Sequence, residues 1–136
     1  MFTSVNPTIR ALAETILWSS CDDNEIPLDK NYSAKDINQE CLNRLYLEYT
    51  QFVNSVEKQI TAIFGDNWES IDEFYDIIQP TENQTEHDYI MTRNGHGCGF
   101  WDGDWMSGIA DILTDAAKSF PKIYATLGDD GKIYLY

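Results

Sequence analysis

Seven apolar residues in the middle of the chain constrain its fold more than any other feature. Leu42, Leu45, Tyr49, Phe52, Val56, Ile60 and Ile63 follow one another at steps of 3, 4, 3, 4, 4 and 3. Only an α-helix, with about 3.6 residues per turn, sets all seven on one side. The spacing therefore predicts one long helix with a continuous apolar stripe, ending at Phe64 with Gly65 as its C-cap. Such a stripe must be covered by other elements, and a chain of 136 residues is long enough to supply them without disulfide or metal staples.

The flanking segments read as follows. Asn6-Pro7 is an N-cap followed by proline at the first helical position, and Ile9, Leu12, Ala13, Ile16 and Leu17 continue at helical spacing. The first helix is expected over Pro7–Ser19, followed by a polar loop over Cys21–Tyr32. Ser33 and Asp36 have the spacing of a capping box ahead of the long helix. A third helix is predicted over Asp66–Ile78, with Trp68, Ile71, Tyr75 and Ile78 on one face and Pro80 as its stop. After a linker the pattern changes. His87–Arg93 reads as a strand, with Tyr89 and Met91 on one face and Ile90 on the other. A glycine-rich loop follows, then a helix capped by Asp102 or Asp104 and carrying Trp105, Ile109, Ile112, Leu113, Ala116 and Phe120 up to Pro121. Lys122–Thr126 and Lys132–Leu135 read as two strands joined by a hairpin turn at Asp129-Asp130-Gly131. The expected fold is α+β, with three N-terminal helices packed with a small antiparallel sheet of about three strands and one further helix. A single domain over 1–136 is expected, with a helical part over about 1–80 and a strand-loop-helix-hairpin part over about 87–136.

Charge narrows the classes of partner. Twenty-three acids stand against nine bases, a net charge of −14. Direct nucleic-acid binding is disfavoured, because holding phosphates needs clustered Lys and Arg, and an anionic membrane would repel the chain in the same way. The electrostatic partner that fits is a basic protein surface, including the surfaces that hold DNA or RNA. The three cysteines form no CxxC pair, the N-terminus has no signal-peptide pattern, and no apolar run is long enough to cross a bilayer. These features fit a cytoplasmic location. The oligomeric state is not legible.

The most distinctive segment is Asp88–Trp101, DYIMTRNGHGCGFW, which presents His96 among alternating Gly95, Gly97 and Gly99. Together with the ending GDDGKIY, it resembles a group of small proteins encoded by bacteriophages and prophages that carry a TRNGHGxGFWD segment and a GDDGxIY hairpin. The matching residues are Thr92–Asp102 and Gly128–Tyr134; the likeness is dense over residues 88–136 and looser over the first two helices. The group has no established activity, so the resemblance implies a phage context and assigns no catalytic or binding residue. A small residue stands in that group where this chain has Cys98.

Two uses of the loop remain open. Asp88, Arg93, Asn94, His96, Trp101 and Asp102 can form a structural unit, with His96 bonded to the loop backbone or to Asp102 and Arg93 in an ion pair with Asp88, Asp102 or Asp104. Alternatively, His96, Cys98 and Asp102 form the site of a small enzyme or of a ligand- or metal-binding protein. The glycine spacing matches no phosphate loop, and HxC is not a zinc pattern, so no cofactor or metal is expected. Phe100, Trp101 and Trp105 form an aromatic cluster that is either core or an exposed contact patch.

The acidic third helix supplies the other candidate surface. Asp66, Glu69, Glu73 and Asp76 share one helix face, and Glu82 and Glu86 extend the acidic run. A row of four such carboxylates spans about 15 Å, with members about 5 Å apart, near the spacing of phosphates along a strand. The favoured expectation is a non-enzymatic, phage-encoded interaction protein. Such a protein would inhibit a host nucleic-acid-handling or defence protein, as anti-CRISPR and anti-restriction proteins do, by occupying its basic surface.

Overall fold

The computed structural model describes residues 6–64, 84–95, 99–100 and 109–136. Among them are four α-helices, α1 (Pro7–Ser19), α2 (Gln39–Phe64), α3 (Gln84–Arg93) and α4 (Ile109–Lys118), and an antiparallel pair of strands, β1 (Ala125–Leu127) and β2 (Ile133–Leu135). The class is α+β. The third helix expected over 66–78 and the Gly65 cap lie outside the described residues. No described helix is long and apolar enough to cross a membrane. Contacts divide the chain into two compact units, Met1–Glu48 with Lys122–Tyr136, and Tyr49–Pro121.

In the first unit, α1 starts as its sequence dictates. The Asn6 side chain accepts from the N–H groups of Thr8 and Ile9 at 2.9 and 3.3 Å, with Pro7 as the first helical residue. Ile9, Leu12, Ala13, Ile16 and Leu17 are buried. The helix packs against two short 3-10 helices, Leu28–Lys30 and Ala34–Asp36. The Ser33–Asp36 capping box is present, but it caps only the second of these single turns. The chain then runs extended through Ile37, which bridges in parallel to Ile133. Asn38 caps α2, its side chain accepting from the Cys41 N–H at 3.1 Å.

Strand β2 is fastened from both sides. Its Ile133 carbonyl accepts from the Asn38 N–H at 2.8 Å. The Leu135 N–H donates to the buried Cys41 Sγ at 3.4 Å, and the Arg44 guanidinium donates to the Leu135 carbonyl. Ile133 and Leu135 are consequently buried.

The hairpin turn has the geometry its glycines allow. Gly131 sits at φ +81, where a side chain would be strained. Gly128 has a different reason to be glycine: a Cβ there would lie 2.6 Å from the Tyr134 ring. That ring lies over the Gly128 backbone, and its hydroxyl donates to Asp130 Oδ2 at 2.6 Å while Asp130 Oδ1 accepts from the Lys132 N–H at 3.0 Å. The strands are shorter than the expected 122–126 and 132–135, although the Tyr124 and Tyr136 backbones exchange both hydrogen bonds just beyond them.

The second unit overturns one expectation. Residues 87–93 are not a strand; they belong to helix α3. Asp88, Tyr89, Ile90, Met91, Thr92 and Arg93 are all buried. A segment enclosed on every side shows neither helical nor strand periodicity, and Tyr, Ile and Thr bias the reading towards strand. Helix α3 packs against α4, which buries Leu113, Ala116 and Ala117. The middle of the long stripe meets an aromatic group here. Phe52 lies 4.6 Å from the Tyr89 ring centroid and 5.9 Å from that of Phe100, and Tyr49 meets Tyr89 edge-on at 5.1 Å.

The Tyr134–Asp130 bond makes a pH prediction. The bond from Tyr134, then that from Lys132, holds the Asp130 carboxyl below its ordinary 3.8, and the bond to Asp130 holds the Tyr134 phenol above its ordinary 10.0. Asp130 therefore contributes stability above pH 3.8 that is lost as pH falls through its lowered native value. Tyr134 contributes stability below pH 10.0 that is lost as pH rises through its raised native value. Asp130→Asn and Gly128→Ala should each return the Tyr134 ring to ordinary phenol titration, followed by NMR. An unmoved Tyr134 titration in both variants would contradict this account of the turn.

Candidate functional site: the helix end at Arg93

The distinctive motif begins as a helix terminus. Thr92 and Arg93 close α3, the Asn94 N–H donates to the Ile90 carbonyl at 3.0 Å, and the Gly95 N–H donates to the Thr92 carbonyl at 3.1 Å. Gly95 adopts φ +71, the left-handed conformation that commonly stops a helix. The loop then returns to its own start. The Phe100 N–H donates to Thr92 Oγ1 at 3.2 Å, and both residues are fully buried. Phe100 is thereby assigned to the core.

Arg93 holds the base of this loop. It is buried at 5% exposure, so its charge needs nearby partners. Its Nε donates to the Pro121 carbonyl at 2.6 Å and its Nη1 to the Tyr89 hydroxyl at 2.9 Å. The guanidinium carbon lies 5.2 Å from the Phe120 ring centroid and 5.9 Å from that of Tyr89. Cation–π attraction and charge-assisted bonds thus replace part of its hydration. Asp102 and Asp104, two of the carboxylates expected to pair with Arg93, lie outside the described residues; a backbone carbonyl, a phenol and two rings are further contacts that the expectation did not include.

The candidate residues separate as follows. Asp88 and Arg93 are buried on α3, Asn94 is half-buried at its end, and Glu86 is half-buried in its first turn. His96, Cys98, Trp101 and Asp102 lie outside the described residues, as do Asp66, Glu69, Glu73, Asp76 and Glu82. Among the described residues, no group of three or more His, Cys, Asp or Glu could hold a metal ion. Sequence reasoning missed the partnership of Tyr89, Phe120 and Pro121 with Arg93. One signal was available: Tyr89 and Arg93 are four apart, the spacing of facing side chains on a helix.

This arrangement ties the end of α3 to Pro121, just past α4, and holds the Phe100 N–H on Thr92. Arg93→Ala would leave the Pro121 carbonyl and Tyr89 hydroxyl without this donor. It should lower unfolding free energy by about 2–4 kcal/mol. Arg93→Lys, a compact charge in place of a planar fork, should recover less than half of that. Chemical denaturation measures both, and full stability in Arg93→Ala would contradict the anchoring role.

No protein-family model, curated protein sequence or solved structure matches this chain.

Proposed function

We propose that this is a non-enzymatic, phage-type interaction protein that binds a basic surface of a host protein, one that handles nucleic acid or acts in defence. Cytoplasmic action in the host follows from that reading. The observation that carries it is the distribution of charge. The segment Tyr49–Pro121 contains thirteen carboxylates against three bases, Lys58, Arg93 and Lys118. Of these bases, Arg93 is buried and engaged with Tyr89, Phe120 and Pro121. The remainder of the chain has ten carboxylates against six bases. Acidity is therefore concentrated, which suits steering towards one cationic surface better than general solubility.

The resemblance over Thr92–Asp102 and Gly128–Tyr134 supplies the phage context. Asp66, Glu69, Glu73 and Asp76 follow one another in the sequence at steps of 3, 4 and 3, with Glu82 and Glu86 after them, the pattern expected of carboxylates that imitate phosphates. The alternative of a small enzyme or ligand-binding protein centred on His96, Cys98 and Asp102 has less support. The described contacts tie the end of α3 to Pro121 through Arg93 and hold the Phe100 N–H on Thr92.

Electrostatic recognition of this kind weakens with salt. Tagged protein should retain a nucleic-acid-handling partner from bacterial lysate in dilute buffer. Affinity for the purified partner should fall about tenfold or more between roughly 50 and 300 mM salt. Affinity that is flat across that range would contradict the proposal.

A further inference from the structure

The end of α3 carries a dipeptide with chemistry of its own. Asn94 is the one asparagine of the chain that is followed by glycine. In an Asn-Gly pair the glycine nitrogen can attack the asparagine Cγ, since the glycine has no Cβ to stand in the way. The folded chain opposes that attack. The Asn94 N–H donates to the Ile90 carbonyl at 3.0 Å and the Gly95 N–H to the Thr92 carbonyl at 3.1 Å, so Arg93 and Asn94 are the central residues of a closed turn. The attacking nitrogen is thereby engaged through its proton and turned towards Thr92. Thr92 and Arg93 are buried, and Arg93 is held by Pro121 and Tyr89, which fixes the turn on its helical side. Gly95 on the other side is exposed to solvent.

We propose that Asn94 is a site of spontaneous deamidation, held closed by the folded end of α3 through the anchoring of Arg93. When the turn opens, the Gly95 nitrogen gives its proton to a solvent base and forms a bond to Asn94 Cγ. The bond from Cγ to Nδ2 breaks, and the side-chain amide leaves as ammonia after taking a proton from water. The cyclic imide then adds water at either carbonyl and opens to aspartate or isoaspartate. Solvent is the sole co-reactant. Either product is a carboxylate at the C-terminal end of α3, where the helix dipole disfavours negative charge. Isoaspartate also inserts a carbon into the main chain, so the bond from Gly95 to Thr92 cannot re-form in the same turn. The conversion is therefore one-way. It alters the helix end that carries both Arg93 and the Thr92 hydroxyl bonded to Phe100.

The test incubates the full chain at mildly alkaline pH, once folded and once unfolded in urea, and follows every asparagine by peptide-mapping mass spectrometry. In urea, Asn94 should convert faster than any other asparagine. In the folded chain it should convert at least about tenfold more slowly than in urea, because reaction waits for the helix end to open. Folded Arg93→Ala should convert at Asn94 about threefold faster than folded wild type, since the turn loses the contacts that hold its central residue. Equal rates at Asn94 in the folded and unfolded wild-type chain would overturn the proposal, as would a faster asparagine elsewhere in the unfolded chain. A folded Arg93→Ala that converts at the wild-type rate would overturn the part assigned to Arg93. Should Arg93→Ala fail to fold, the wild-type comparison decides, repeated in urea too dilute to unfold the chain, where the Asn94 rate should rise with local opening and a flat rate would count against the closed turn.

Discussion

Burial of one helical stripe governs both units of this protein. Helix α2 places Leu42 and Leu45 in the first unit and Phe52, Val56 and Ile60 in the second, and all five are buried. Each such side chain contributes about 1.5–3 kcal/mol on leaving water. The first turns of α2 also carry the polar fastenings of β2, from Asn38, Cys41 and Arg44 to Ile133 and Leu135. Further along, Phe52 is the ring that Tyr89 and Phe100 meet. Shifting α2 by one residue would rotate its apolar face by about 100° and break these contacts together.

The described parts of the two distinctive segments, TRNG and GDDGKIY, are explained by local geometry and contacts. In TRNG, Thr92 holds the returning loop, Arg93 anchors its base, and Asn94-Gly95 ends α3. In GDDGKIY, Gly128 makes room for the Tyr134 ring, Asp130 binds Lys132 and Tyr134, and Gly131 takes the positive φ of the turn. Sequence specificity in these places reflects demands of backbone geometry. Tyr124 and Tyr136 answer no such demand, since most of their surface is open to solvent.

Elements with one wet side were legible in the sequence. The Asn6-Pro7 start, the 3–4 periodicity of α1 and α2 and the Asp-Asp-Gly turn each follow from local chemistry, and each appears in the structure. Helix α3 was not legible, because burial from Asp88 to Arg93 on every side removes the contrast that periodicity depends on. The Ser33–Asp36 box was found correctly, but a capping box specifies a first turn and not how long the helix continues; Ile37 leaves the turn to bridge with Ile133. The partners of Arg93 were legible only in part. Tyr89 lies within helical reach, whereas the Pro121 carbonyl is 28 residues away and comes close only through folding.

On the proposed function, the acidity concentrated between Tyr49 and Pro121 occupies a cationic surface that otherwise holds nucleic acid. Competition measures this directly. Duplex DNA is titrated into the complex of this protein with its captured partner, and the ternary species is sought by analytical ultracentrifugation. Mutual exclusion, with DNA displacing the protein and the protein displacing DNA, is the predicted result. A stable ternary complex of partner, DNA and this protein would contradict the claim.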